Sequence, residues 1–130
     1  MKYAAIDVGL KRIGVAVSLD GSVIFPKEAI LRKNRNQAAR DVDAFLLEWE
    51  IEKLVVGIPE GGSSQDEMTR RIKHFVGLLS YDGDIVYQDE YGSSQEAKEL
   101  MQGKIRQKRD GKIDSIAAQI ILQRYLDNVL

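Results

Sequence analysis

The chain has 130 residues, 44% apolar and 30% charged, with 19 Lys and Arg against 20 Asp and Glu, a formal net charge of −1 and no cysteine. That length is expected to form one domain, residues 1–130, with a core that needs no staple. The composition excludes a disordered tail, a disulfide scaffold, a thiolate zinc site and binding of nucleic acid by bulk charge alone.

No apolar run approaches the ~18 residues of a membrane span. The opening Met1-Lys2-Tyr3 leads into a strand rather than a signal or transit peptide, so a cytoplasmic location is expected. Three strands are predicted first, at about 2–8, 12–19 and 22–31, with Asp20-Gly21 as the hairpin turn between the second and third. Ala38, Val42, Phe45, Leu46 and Trp49 then recur at helical spacing, with Asn34 or Asn36 as the N-cap and Trp49 expected in the core. Lys53 to Pro59 is short and continuously apolar, as in a strand buried on both faces.

After the loop Glu60-Gly61-Gly62-Ser63, Ser64 and Glu67 form a capping-box pattern for a second helix, whose inner stripe is Met68, Ile72, Phe75, Val76 and Leu79. His74 lies beside that stripe and is expected to be an exposed bystander. Residues 85–89 form a fifth strand, and Ser93 with Glu96 begins a short helix through Met101. A basic loop, 103–112, leads to a last helix at about 113–128, with Ile113, Ile116, Ala117, Ile120 and Ile121 inward. Three meandering strands followed by alternating strands and helices predict an α/β fold. Its mixed five-stranded sheet has antiparallel meander strands, added parallel strands and helices on both faces.

Three carboxylates stand where such a fold could collect them. Asp7 ends the first strand and Asp89-Glu90 the fifth, at carboxyl ends where α/β sheets bind ligands, while Asp114 opens the last helix. Each has an ordinary alternative: Asp7 as a turn cap, the acidic pair as a hydrophilic strand exit, Asp114 as a complement to the helix dipole. Neighbouring residues on a strand face opposite ways, so one of the pair, Glu90, is assigned to the site. Together Asp7, Glu90 and Asp114 suggest a site for Mg2+ or Mn2+ and phosphodiester chemistry, with Asp7 bridging two ions and the others holding one each.

Gly9 allows a positive φ and a close approach to ligand. Lys11 and Arg12, with Lys104, Arg106, Lys108, Arg109 and Lys112, form the candidate nucleic-acid surface; the last five fall within nine positions. Arg32, Lys33 and Arg35 make a second cluster within four positions, and either cluster is equally readable as a solvated loop. Glu60 could add a fourth carboxylate, and Tyr87 and Tyr91 could stack on a base.

The segment Ile6-Asp7-Val8-Gly9-Leu10-Lys11-Arg12-Ile13-Gly14-Val15-Ala16-Val17-Ser18 closely resembles the opening motif of the YqgF family of ribonuclease H-like proteins, relatives of the resolvase RuvC. Val55-Val56-Gly57-Ile58-Pro59, Asp89-Glu90 and Ile113 through Gln123 resemble its later motifs, so the likeness runs nearly end to end. The resemblance implies a ribonuclease H-like fold, with Asp7, Glu90 and Asp114 as catalytic carboxylates. It also implies a cytoplasmic nuclease that matures the 5′ end of 16S ribosomal RNA, with the pre-ribosomal small subunit as a partner. Resolution of Holliday junctions is the older proposal for that family.

Two departures stand out: Tyr91 where the family generally has Arg, and Glu60-Gly61-Gly62-Ser63-Ser64 where it usually has Asp-Gly. The competing readings are a branched-DNA resolvase and a non-catalytic nucleic-acid-binding module. An actin-like ATPase also has an Asp-x-Gly strand, but it needs a second lobe for which this length leaves no room.

Overall fold

A computed structural model describes residues 1–59, 63–89 and 112–129, with the helical backbone alone at 63–66 and 112–114. Its elements are β1 (Tyr3–Val8), β2 (Arg12–Ser18), β3 (Phe25–Leu31), α1 (Arg35–Glu48), β4 (Lys53–Ile58), α2 (Ser63–Gly77), β5 (Asp84–Asp89) and α3 (Lys112–Val129). The expected helix at 93–101 and the basic loop 103–111 lie outside the described residues.

The strands form one mixed sheet of order β3-β2-β1-β4-β5. β1 pairs antiparallel with β2 and parallel with β4; β2–β3 is antiparallel and β4–β5 parallel. The sheet's direction of progress therefore switches at β1, so the carboxyl end of β1 opens on the crevice where such sheets hold ligands. Strand alternation builds two cores. Ala4, Ile6 and Val8 of β1, Ile13, Val15 and Val17 of β2, and Leu54 and Val56 of β4 pack under Ala38, Val42 and Leu46 of α1 and Ile72, Phe75 and Val76 of α2. On the opposite face Tyr3, Ala5 and Val55 pack against Ile121, Leu122 and Leu126 of α3.

Local chemistry explains the boundaries. The Asp20 carboxylate accepts hydrogen bonds from the Ser22 and Val23 N–H groups at 2.8 and 3.2 Å. Those donors are occupied locally, and β3 starts at Phe25 rather than at 22. Pro26 is tolerated in β3 because this strand pairs only with β2 among the described strands.

α1 begins at Asn34, whose side chain accepts from the Gln37 N–H at 2.8 Å while the Gln37 side chain accepts from the Asn34 N–H at 3.3 Å. It ends in a Schellman motif: Ile51 N–H reaches the Leu46 carbonyl at 3.0 Å and Glu50 N–H the Leu47 carbonyl at 3.1 Å. Glu50 there has φ 53°, the only positive φ among the described non-glycine residues.

Some expectations are corrected. Helix α2 already includes Ser63, so Ser64 lies in its first turn rather than at its cap. Met68 is exposed, at the rim of a cleft described below, instead of in the inner stripe. Trp49 sits at the core's margin, half-buried against the α1/α2 cluster, with the Lys27 ammonium 4.5 Å from its ring centre. The buried side of α3 is Ser115, Ala117, Ala118, Ile121, Leu122 and Leu126, while Ile116 and Ile120 are only half-buried. Residues 116–118 and 120–122 are all apolar, so helical spacing alone allowed more than one inner face.

Candidate active site

Asp7 is the penultimate residue of β1 and is half-buried. Alternation puts it on the face of Tyr3 and Ala5, toward α3, and its cross-strand partner is Gly14. The positions around it on that face are small: Ala5 opposite Ala16, and Asp7 opposite Gly14. The facing side of α3 is equally small, with Ser115, Ala117 and Ala118 buried. Small residues on both sides let the helix lie close to the strands. One polar bond sets where along the strands it lies: the buried Val15 N–H donates to Ser115 Oγ at 3.3 Å. Val15 adjoins Gly14, the partner of Asp7, and Ser115 adjoins Asp114. The first turn of α3 is thereby anchored over the strand pair that carries Asp7. Nothing in the sequence patterns assigns Ser115 a role of its own, although a lone hydroxyl in an apolar stretch is a usable signal for a helix anchor.

The turn after Asp7 is rigidly built. Gly9 N–H donates to the Arg12 carbonyl at 3.0 Å, closing a tight loop around Leu10 and Lys11. A Cβ on Gly9 would lie 2.5 Å from that carbonyl oxygen. Glycine is needed here for close approach to the chain's own backbone, not for positive φ; Gly21, at 86°, is the described glycine with that conformation. Arg32 clamps the turn from outside. Its N–H donates to the Lys11 carbonyl at 2.9 Å and its guanidinium to the Gly9 carbonyl at 2.8 Å, and the guanidinium rests 5.3 Å from the Phe75 ring centre. Lys11 is exposed and Arg12 half-buried.

At the far strand, Asp89 pairs with Ile58 and shares the face of Ile85, which packs in the α1/α2 core. It is thus on the side opposite Asp7. Tyr87 lies on that same side, with the Lys73 ammonium 5.2 Å from its ring centre, and is not beside the carboxylate. Glu90, Glu60, Tyr91, Lys104, Arg106, Lys108 and Arg109 lie outside the described residues, and Asp114 and Lys112 are described by helical backbone alone. No cluster of three potential metal ligands occurs among the described side chains.

A five-stranded mixed sheet with its direction switch at β1, and a helix anchored on the strand pair that carries the carboxylate at that strand's end, make a ribonuclease H-like fold. Two solved structures share the fold. Thermus thermophilus RuvC in complex with a Holliday junction has a TM-score of 0.59 at 13% identity, covering 98% of this chain and 94% of that one. The fowlpox virus resolvase in complex with Holliday-junction DNA has a TM-score of 0.57 at 15% identity, covering 100% and 99%.

The family model described as "RuvX: Holliday junction resolvase" matches residues 1–128, and the chain belongs to this RuvX (YqgF) family. A protein of Sulfurovum sp. (strain NBC37-1) is 71% identical over 126 residues, 97% of this chain and 98% of its own. One of Sulfurimonas denitrificans is 60% identical over 126 residues, 97% of each chain. Both carry the name "Putative pre-16S rRNA nuclease".

Proposed function

We propose that this chain is a metal-dependent endonuclease. It hydrolyses phosphodiester bonds in structured RNA and acts in 5′-end maturation of precursor 16S ribosomal RNA. The observation that carries this reading is the position of Asp7: a carboxylate at the carboxyl end of the switch strand, on the face where Ser115 anchors the first turn of α3. The 71% likeness to a relative named for precursor 16S RNA favours RNA as substrate.

Asp7, Glu90 and Asp114 are the proposed catalytic and metal-holding residues of a single domain, 1–130. Asp89 is the unsuitable member of its pair because it shares a face with the opposite core. An all-carboxylate donor set suits hard divalent cations such as Mg2+ or Mn2+. When bound, such ions activate water and offset the charge that builds on the phosphodiester. The chain's own part is to hold Asp7 rigid through the Gly9 turn and to bring cations to the backbone of the substrate. Lys11 and Arg12 do this at the turn, and Lys104, Arg106, Lys108 and Arg109, with Lys112 at the start of α3, along the sequence that leads into that helix. The working location is the cytoplasm, and the partner is the precursor RNA within the small ribosomal subunit.

The test is cleavage of 5′-extended precursor 16S RNA with Mg2+ or Mn2+, beside a four-way DNA junction. Specific RNA cleavage that falls at least ~100-fold in Asp7→Asn is expected, since even outer-shell changes cost 10–100-fold. Undiminished cleavage by Asp7→Asn would remove that residue from the site. The second reading, junction resolution, is favoured by the family description and by the resolvase folds; preferential cutting of the DNA junction would establish it instead.

A further inference from the structure

A second feature adjoins the Asp7 turn on the opposite side of the sheet. Val8, Gly9 and Leu10 form one wall of a cleft of about 380 Å³, closed by Arg32 just after β3, by Arg35 at the start of α1 and by Met68, Arg71 and His74 of α2. Three guanidiniums and the chain's one histidine converge there, and no carboxylate lines it among the described residues. Convergence of like charges is costly unless an anion is taken up.

The three arginines are held differently. Arg32 is half-buried and fixed on the Gly9 carbonyl and the Phe75 ring. Arg71 pairs with Glu67 at 2.8 Å, with both side chains more than half exposed. Such a pair is weak and solvent-screened, so a phosphate can compete for the guanidinium. Arg35 is exposed at the rim.

The remaining wall is apolar and open: Leu10 is 67% exposed and Met68 36% exposed. A cationic rim beside an exposed apolar patch matches the two halves of a nucleotide. The volume is at the low end of small-ligand pockets, ~300–1,000 Å³, which suits one nucleotide and not a duplex.

We infer that this cleft holds one unpaired nucleotide of the substrate strand, across the Gly9 turn from Asp7. Arg35, Arg71 and His74 take its phosphate, and the base lies on Leu10 and Met68. Arg32 is a positioning residue that ties the cleft to the Asp7 turn. The inference rests on the nuclease reading only for the identity of the strand. The cleft's preference is therefore for single-stranded over duplex nucleic acid at this point.

The test is fluorescence anisotropy with labelled rU8 and dT8 single strands and an eight-base-pair duplex, in EDTA so that nothing is cleaved. The wild-type chain is compared with R35A/R71A, with L10S/M68S and with a control, K2A/K53A, which removes the same charge at the other end of the strands. R35A/R71A is expected to weaken single-strand binding at least ~10-fold and to lower the salt slope by ~0.7, the value for one phosphate contact on a single strand. L10S/M68S is expected to weaken it several-fold with the slope unchanged. The rU8 and dT8 arms show whether ribose matters.

Equal losses in R35A/R71A and K2A/K53A, or no single-strand binding by the wild type, would overturn the inference. Unchanged affinity in L10S/M68S, or duplex bound as tightly as single strand, would overturn its nucleotide part. Because no catalysis is read, a chain that binds in this way but cleaves nothing defeats the nuclease reading alone. A chain that cleaves normally with R35A/R71A unaffected in binding defeats the cleft alone.

Discussion

At the scale of single residues, Glu50 occupies a position built for glycine. It is the C′ residue of a Schellman motif with φ 53°, and the left-handed region costs a non-glycine residue ~1–2 kcal/mol. Its compensation is an ion pair with the Lys2 ammonium at 2.8 Å, which is largely exposed. Exposed pairs contribute little. Glu50→Gly is therefore expected to stabilise the chain by ~0.5–1 kcal/mol after the unfolded-state entropy of glycine is counted. The measurement is the urea midpoint at constant slope; a lower midpoint would mean that the Lys2 contact outweighs the backbone strain. Gly9 shows the opposite case. Its sequence context suggested conformational freedom, whereas the structure requires the absence of a Cβ against the Arg12 carbonyl.

At the scale of elements, the placement of α3 depends on one buried hydroxyl among apolar contacts. Ser115→Ala leaves the buried Val15 N–H without its acceptor, which costs ~1–3 kcal/mol. It also frees the helix start that carries Asp114. The expected result is a lower thermal midpoint together with weakened divalent-cation binding by calorimetry, whereas Ile121→Ala should cost ~2–5 kcal/mol through the cavity alone and leave the anchor in place. Equal cation affinity in wild type and Ser115→Ala would show that the anchor has no part in the site. The strands, α1, α2 and α3 were legible because apolar period and capping chemistry coincide, as at Asn34 and Gln37. The inner face of α3 was not, because its middle is apolar nearly all round and the choice falls to which side meets Ala5 and Ala16.

At the scale of the whole molecule, titrating groups bound the pH range of stability. Hydrogen bonds from the Ser22 and Val23 backbone lower the Asp20 pKa, and the Lys2 ammonium lowers that of Glu50. Their contributions are present above the unfolded carboxylate values near ~4 and fade as pH falls through the lower folded values. Burial, then Asp84, raises the Tyr81 hydroxyl, which donates to the Ile51 carbonyl at 3.1 Å, and the Tyr125 hydroxyl raises Lys53. Those contributions are complete below ~10 and are lost as pH rises through the folded values. A thermal midpoint flat between pH ~5 and ~9 and falling above ~10 is expected from these groups. Tyr81→Phe should lower the plateau by a few degrees, the equivalent of ~1 kcal/mol, and soften the alkaline decline. An unchanged alkaline limb in that variant would place the titration elsewhere.

The sequence by itself determined the mixed α/β architecture, its five strands and the candidacy of Asp7, since strand and helix periods and turn residues are local properties of the chain. Only tertiary structure decided that Asp89 faces away from Asp7 and that Ser115 sets the position of α3. It likewise decided that Arg32, Arg35, Arg71 and His74 meet at one cleft beside the Gly9 turn. The physical reason is that a side chain's face follows from sheet register, and a charge's neighbours follow from helix packing. Both depend on contacts between segments tens of residues apart, which no local pattern records.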